Sequence, residues 1–113
     1  MRKSDKKIDN QIIKSLTQVC QSALKEIDGF VWLTHSVNFD KFPQSLKITC
    51  VFDTNVQLAH AIASGNNERL VFSIEASLAA INIKLNNTKK QITLDSEESC
   101  TLQHQGNWRQ RLA

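Results

Sequence analysis

The sequence predicts an α+β fold: one domain over residues 1–113, a mainly antiparallel sheet with a long N-terminal helix, in the order α-β-β-α-α-β-β-α. Three observations carry that reading. Ile8, Ile12, Leu16, Val19, Ala23 and Ile27, joined by Cys20 and Leu24, recur at steps of three and four, the spacing of one apolar helical stripe. Leu46, Ile48, Cys50 and Phe52 alternate with Lys47, Thr49, Val51 and Asp53, the period of a strand with one face on a core. Bulk composition agrees: 113 residues, 41% hydrophobic and 22% charged with a net charge of +3, have the apolar surface for one core and too little chain for two.

Taken in order, the first helix is expected from about Ser4 to Asp28, and Gly29 supplies the left-handed residue that ends it. Phe30 to Phe39 is rich in β-branched and aromatic residues and begins the sheet. Asn38 to Ser45 holds the sole proline, Pro43, which fixes its own φ and biases Phe42 away from helix, so a loop leads into the strand Leu46 to Asp53. Thr54 and Gln57 have capping-box spacing ahead of Val56, Ala59, Ile62 and Ala63, a short helix that stops at Gly65. Asn66 or Asn67 caps a third helix carrying Leu70, Val71, Ile74, Leu78 and Ile81. Ile83 and Leu85, then Ile92 and Leu94, alternate with polar residues on either side of Asn86-Asn87-Thr88-Lys89, which reads as a β-hairpin. Asp95 and Glu98 cap a last helix that breaks near Gly106, leaving Asn107 to Ala113 as an irregular or short helical tail.

Met1 to Lys7 is basic, but Ile8 to Leu16 is interrupted by Asp9, Asn10, Gln11 and Lys14 and makes no apolar signal core. Nor does any apolar run approach the roughly 20 residues that span a bilayer, so a cytoplasmic protein with no membrane partner is expected. Cys20, Cys50 and Cys100 lack any CxxC pairing, which fits reduced thiols.

Residue chemistry argues against an enzyme. A thiol nucleophile needs a base within reach, and local structure places only Cys100 and His104 together, one helical turn apart. Those two supply half of a tetrahedral zinc site, and no second local pair exists. Cys20 and Cys50 fall on apolar faces, His35 shares a strand face with Val31, Leu33 and Val37, and His60 lies on a helix surface. Gly29, Gly65 and Gly106 stand at element ends, so no glycine-rich loop cradles phosphate. Glu97 and Glu98 suit a helix dipole better than acid-base work. No catalytic residue, metal site or cofactor is expected.

Charge is unevenly spread: residues 1–7 carry a net +3, residues 8–83 a net −2 and residues 84–113 a net +2. Basic ends suit a polyanion, and the expectation is a binding or regulatory protein that contacts RNA or DNA. Its contact residues are expected to be Arg2, Lys3, Lys6, Lys7, Lys84, Lys89, Lys90, Arg109 and Arg111, with Trp108 stacking on a base. Against this, a terminal tryptophan also serves to pack a chain end onto its domain, here with Leu112. The alternative function is a protein-interaction or assembly module, homodimeric in one version, whose strand Phe30 to Phe39 mates with another sheet edge.

Two resemblances extend the reading. The order helix, strand, strand, helix, helix, strand over about residues 5–94 is similar to the type II K-homology arrangement, which holds RNA beside a short loop between its central helices. That loop is Gly65-Asn66-Asn67-Glu68 here, with Glu68 where the usual GxxG ends in glycine. Ala63-Ser64-Gly65 resembles the kinked Ala-x-Gly turn of the ribosome-binding factor A family. Separately, Met1-Arg2-Lys3-Ser4-Asp5-Lys6-Lys7, Gly29-Phe30 with Trp32-Leu33-Thr34-His35, Phe42-Pro43-Gln44-Ser45-Leu46, Val51-Phe52-Asp53-Thr54 and His104-Gln105-Gly106-Asn107-Trp108 resemble a family of small bacterial proteins often labelled Fis-type transcriptional regulators. That second resemblance spans nearly the whole chain and implies DNA binding.

Overall fold

A computed structural model describes residues 2–113. Helix α1 runs Lys3–Glu26 and buries Ile12, Leu16, Val19 and Ala23, the centre of the stripe read from the sequence; Ile8 and Cys20 are half-buried at its margin, and Leu24, read as joining it, is exposed. It ends in a turn closed by the Phe30 N–H donating to Ile27 O, in which Gly29 adopts a φ of +85°. Strand β1 (Phe30–Ser36) then pairs antiparallel with β2 (Lys47–Phe52), setting Leu33 opposite Cys50 and His35 opposite Ile48, with a bulge between Phe30 and Trp32. β1 stops three residues short of Phe39, because Phe39–Lys41 forms a 3-10 turn capped by the Asn38 side chain, which accepts from the Asp40 N–H.

Helix α2 (Asn55–Ser64) starts as its sequence reads: Thr54 Oγ1 accepts the Gln57 N–H at 3.1 Å. It ends at Gly65, whose φ is +84°, and α3 (Asn66–Ala79) follows at once. Gly65 itself occupies the N-cap of α3, so neither Asn66 nor Asn67 caps it.

The hairpin expected over residues 83–94 is absent, and this corrects both the strand count and the sheet type. Ile83 is buried but lies in no strand, Thr88–Gln91 forms one helical turn, α4, and β3 is the single strand Ile92–Ser96. β3 runs parallel to β2, with Ile92 beside Ile48, Leu94 beside Cys50 and Ser96 beside Phe52. The sheet is therefore mixed rather than mainly antiparallel, with three strands among the described residues in the order β1-β2-β3. The reason is topological: α2 and α3 carry the chain from the end of β2 back to its start, the kind of long crossover that a parallel pair requires. Ile83 and Leu85 instead pack against the core at the end of that crossover. Gln91 anchors the turn, its buried Nε2 donating to Pro43 O at 2.8 Å and Leu46 O at 3.1 Å.

Helix α5 (Glu97–His104) is capped one residue later than expected. Ser96 Oγ accepts the Ser99 N–H at 3.0 Å, while Asp95 Oδ1 accepts the Ser96 N–H. After Gln105 and Gly106, both at positive φ, one further turn, α6 (Trp108–Arg111), closes the chain. Among the described residues, no helix is long and apolar enough to cross a membrane.

Candidate nucleic-acid interface

Side chains alternate across a strand, so the observed registers assign each residue to one of two sheet faces. Ile48, Cys50 and Phe52 of β2, with Leu33, His35, Ile92 and Leu94 beside them, form the inner face, which packs in one cluster with α1 and α3. The outer face has three rows: Trp32, Val51 and Asp95; then Thr34, Thr49 and Thr93; then Ser36 and Lys47.

The C-terminal segment closes the first row. The Trp32 and Trp108 rings meet edge-on at 4.9 Å, and both indole N–H groups donate to Glu97, Trp32 to Oε1 and Trp108 to Oε2. Arg111 grips Asp95 with two parallel bonds, Nε to Oδ2 at 2.6 Å and Nη2 to Oδ1 at 2.8 Å, and its Nη1 donates to Gln103 Oε1 at 2.7 Å. Burial alone would raise the Asp95 carboxyl; hydrogen bonds from Arg111 and the Ser96 N–H, with the Arg111 and His104 charges, outweigh it and hold the group below its ordinary value. Beneath this lid Val51 and Cys100 are fully buried, and burial pushes the Cys100 thiol upward despite the nearby guanidinium. The local pairing of Cys100 with His104 therefore presents no accessible thiolate.

The second and third rows stay open. They floor a groove of about 270 Å³ lined by Thr34, Ser36, Lys47, Thr49, Lys90 and Thr93, with His35 beside them and Arg111 and Leu112 at its rim. Thr49 and Thr93 hydroxyls stand 3.3 Å apart. No carboxylate lines this groove among the described residues, so its chemistry is hydroxyl dipoles and two exposed ammonium groups, a combination that accepts anionic oxygens.

The ten residues expected at an interface divide among four places. Lys90 and Arg111 reach the groove, although Arg111 spends its guanidinium on Asp95. Lys84 and Lys89 are exposed on the segment leading to β3. Lys3, Lys6 and Lys7, with Lys14, are exposed on α1, and Lys3, Lys7 and Lys14 lie on the side of the helix opposite Ile12, Leu16 and Val19, facing away from the sheet. Arg2 pairs with Asp5 at 3.4 Å. Trp108 is half-buried against Trp32, its stacking face partly engaged, and Arg109 is exposed on α6. The two basic ends thus occupy opposite layers of the molecule.

Reasoning from sequence missed Lys47 and the three threonines. The alternation of β2 marked Lys47 and Thr49 as outward, but the row through Thr34, Thr49 and Thr93 exists only once β3 lies parallel beside β2. Gly65-Asn66-Asn67-Glu68 forms the kink between α2 and α3 and the first turn of α3, with Glu68 exposed. No group of three or more His, Cys, Asp or Glu side chains is placed to hold a metal ion among the described residues. No protein-family model matches the chain, and no curated protein or solved structure matches it.

Proposed function

We propose that this protein is a non-enzymatic, cytoplasmic binding module that takes a single-stranded nucleic acid on the open half of its sheet, without a cofactor. The observation that carries the reading is the acid-free groove, with Lys47 and Lys90 flanking a floor of Thr34, Thr49 and Thr93. Lysines neutralise phosphates and hydroxyls donate to phosphate or ribose oxygens, while a concave site of this size admits one strand more readily than a duplex. Lys84 and Lys89 are exposed on the segment that precedes β3 and add positive charge to that segment.

The test is a salt-titrated binding assay with mixed-sequence single-stranded RNA, single-stranded DNA and duplex DNA. Affinity is expected to fall steeply with salt. Replacing Lys47 and Lys90 together with alanine should weaken binding to every sequence and lower the salt slope by roughly 1.4, about 0.7 for each lost phosphate contact. Replacing Lys3, Lys7 and Lys14 on the opposite layer should act less. Absence of binding at about 50 mM salt, where counterion release is most favourable, would overturn the reading. A strong preference for duplex would move the function to the Fis-type expectation.

A further inference from the structure

We infer that the free edge of β1 and the adjoining flank of α1 form a self-complementary surface through which two copies of this chain associate about a twofold axis. β1 is an edge strand of the sheet, and no backbone group of Val31–Ser36 bonds to backbone outside the sheet among the described residues. Edge strands that must stay solitary carry lysine or proline, or are covered. β1 has neither residue, its one titratable group, His35, is held by Asp9 at 2.9 Å, and its bulge lies at the far end, before Trp32.

The helix beside this edge carries the second half of the pattern. Ile13, Thr17, Cys20 and Leu24 follow at steps of four, three and four, a stripe on the α1 flank adjacent to the buried one. Ile13, Thr17 and Cys20 line a groove of about 220 Å³ together with Leu33, Thr34 and His35, which fixes the stripe on the β1 side. Ile13 and Leu24 are 47% and 52% exposed, and Val31 is 36% exposed. Large residues end the stripe and small ones occupy its middle. Laid antiparallel on a copy of itself, it sets Ile13 against Leu24 and Thr17 against Cys20, each pair occurring twice, as a twofold interface demands. Its midpoint, between Thr17 and Cys20, and the middle of β1, Leu33, belong to the same groove. One axis therefore serves both layers, helix against helix above and strand against strand below.

Size sets the strength. Seven strand residues span about 24 Å, and two layers roughly 10 Å apart give a strip of roughly 500 Å² per copy. That is below the roughly 800 Å² per partner of a standard stable interface, so a weak, concentration-dependent association is expected. The dimer does not require the anion site, though it would set the two open sheet faces side by side.

Sedimentation equilibrium of the full chain from about 1 to 300 μM is expected to show the mass rising from 12.8 kDa toward twice that value. Ile13→Lys with Leu24→Lys should hold the mass at one chain throughout. Because both side chains are half-exposed, the far-UV spectrum and unfolding midpoint should be unchanged. Amide exchange over Trp32–Ser36 should slow several-fold with concentration in the parent chain and not in the double variant. A single-chain mass at every concentration, association that survives the double variant, or a dimer without edge-strand protection would each overturn the inference. Capture of a different protein on the same edge in place of self-association would do so as well.

Discussion

Arg111 and Asp95 meet through two parallel hydrogen bonds, Nε to Oδ2 and Nη2 to Oδ1, and so fasten the last helical turn to the last strand. Both side chains are largely withdrawn from solvent, 14% and 20% exposed, which spares the pair the screening that weakens surface bridges. Removing either partner leaves the other charge poorly solvated beneath the C-terminal lid. Arg111→Ala and Asp95→Asn should each cost about 1 to 3 kcal/mol. Urea denaturation checks this, and an unchanged midpoint in both variants would refute the anchoring role.

The same pair makes stability depend on pH. Asp95 has its folded pKa held below the ordinary value near 4, so the unfolded chain takes up this proton first as the solution is acidified. Its contribution is therefore complete above about pH 4 to 5 and is lost as pH falls through the depressed folded value. The stability gap between the parent chain and Asp95→Asn should be constant from about pH 5 to 7 and narrow below about pH 4. Denaturation curves at stepped pH test it, a gap that stays constant into the acid range being the contrary outcome.

Gly29 and Gly65 separate two kinds of glycine requirement. Both have φ near +85°, but a Cβ on Gly29 would lie 2.5 Å from Gln57 Cβ, whereas one on Gly65 meets nothing within 4 Å. Gly65→Ala should cost about 1 kcal/mol from backbone strain alone. Gly29→Ala adds a collision with the first turn of α2 and should cost about 2 to 4 kcal/mol. Thermal midpoints rank them, and equal losses would mean that the Gln57 side chain yields freely.

Thiol reactivity should follow burial. Cys50 is fully buried and its thiol is pushed up to about 12, chiefly by burial and further by Cys20; Cys100 is fully buried and raised as well. Cys20 is half-buried on the α1 flank. An alkylating reagent at about pH 8 should modify Cys20 alone in the native protein and all three thiols after unfolding. Mass spectrometry of the digested product reads this directly, and early labelling of Cys100 would show that the C-terminal lid opens.

Pattern carried far where structure is local. The α1 stripe, the β2 alternation and the Thr54 cap were legible because each depends on residues within a few positions of one another. The hairpin reading failed where two short apolar alternations flank a polar tetrapeptide, a pattern equally served by a core plug, one helical turn and a single strand. Lys90 was legible as a basic residue; its place beside Lys47 was not, since 42 intervening residues cross the molecule before they meet.

What the sequence by itself determined is the identity of α1, α2, α3 and α5 and of β1 and β2, the left-handed turn at Gly29 and the helix stop at Gly65, and the basic character of both ends. Periodicity, capping and φ preference act over a turn or two and need no distant partner. Tertiary structure alone decided that β3 runs parallel, that Asp95 meets Arg111 and Trp32 meets Trp108, and that the basic ends part to opposite layers. Those outcomes depend on where α2 and α3 return the chain, and that path is set by burial of the whole core rather than by any short stretch of residues.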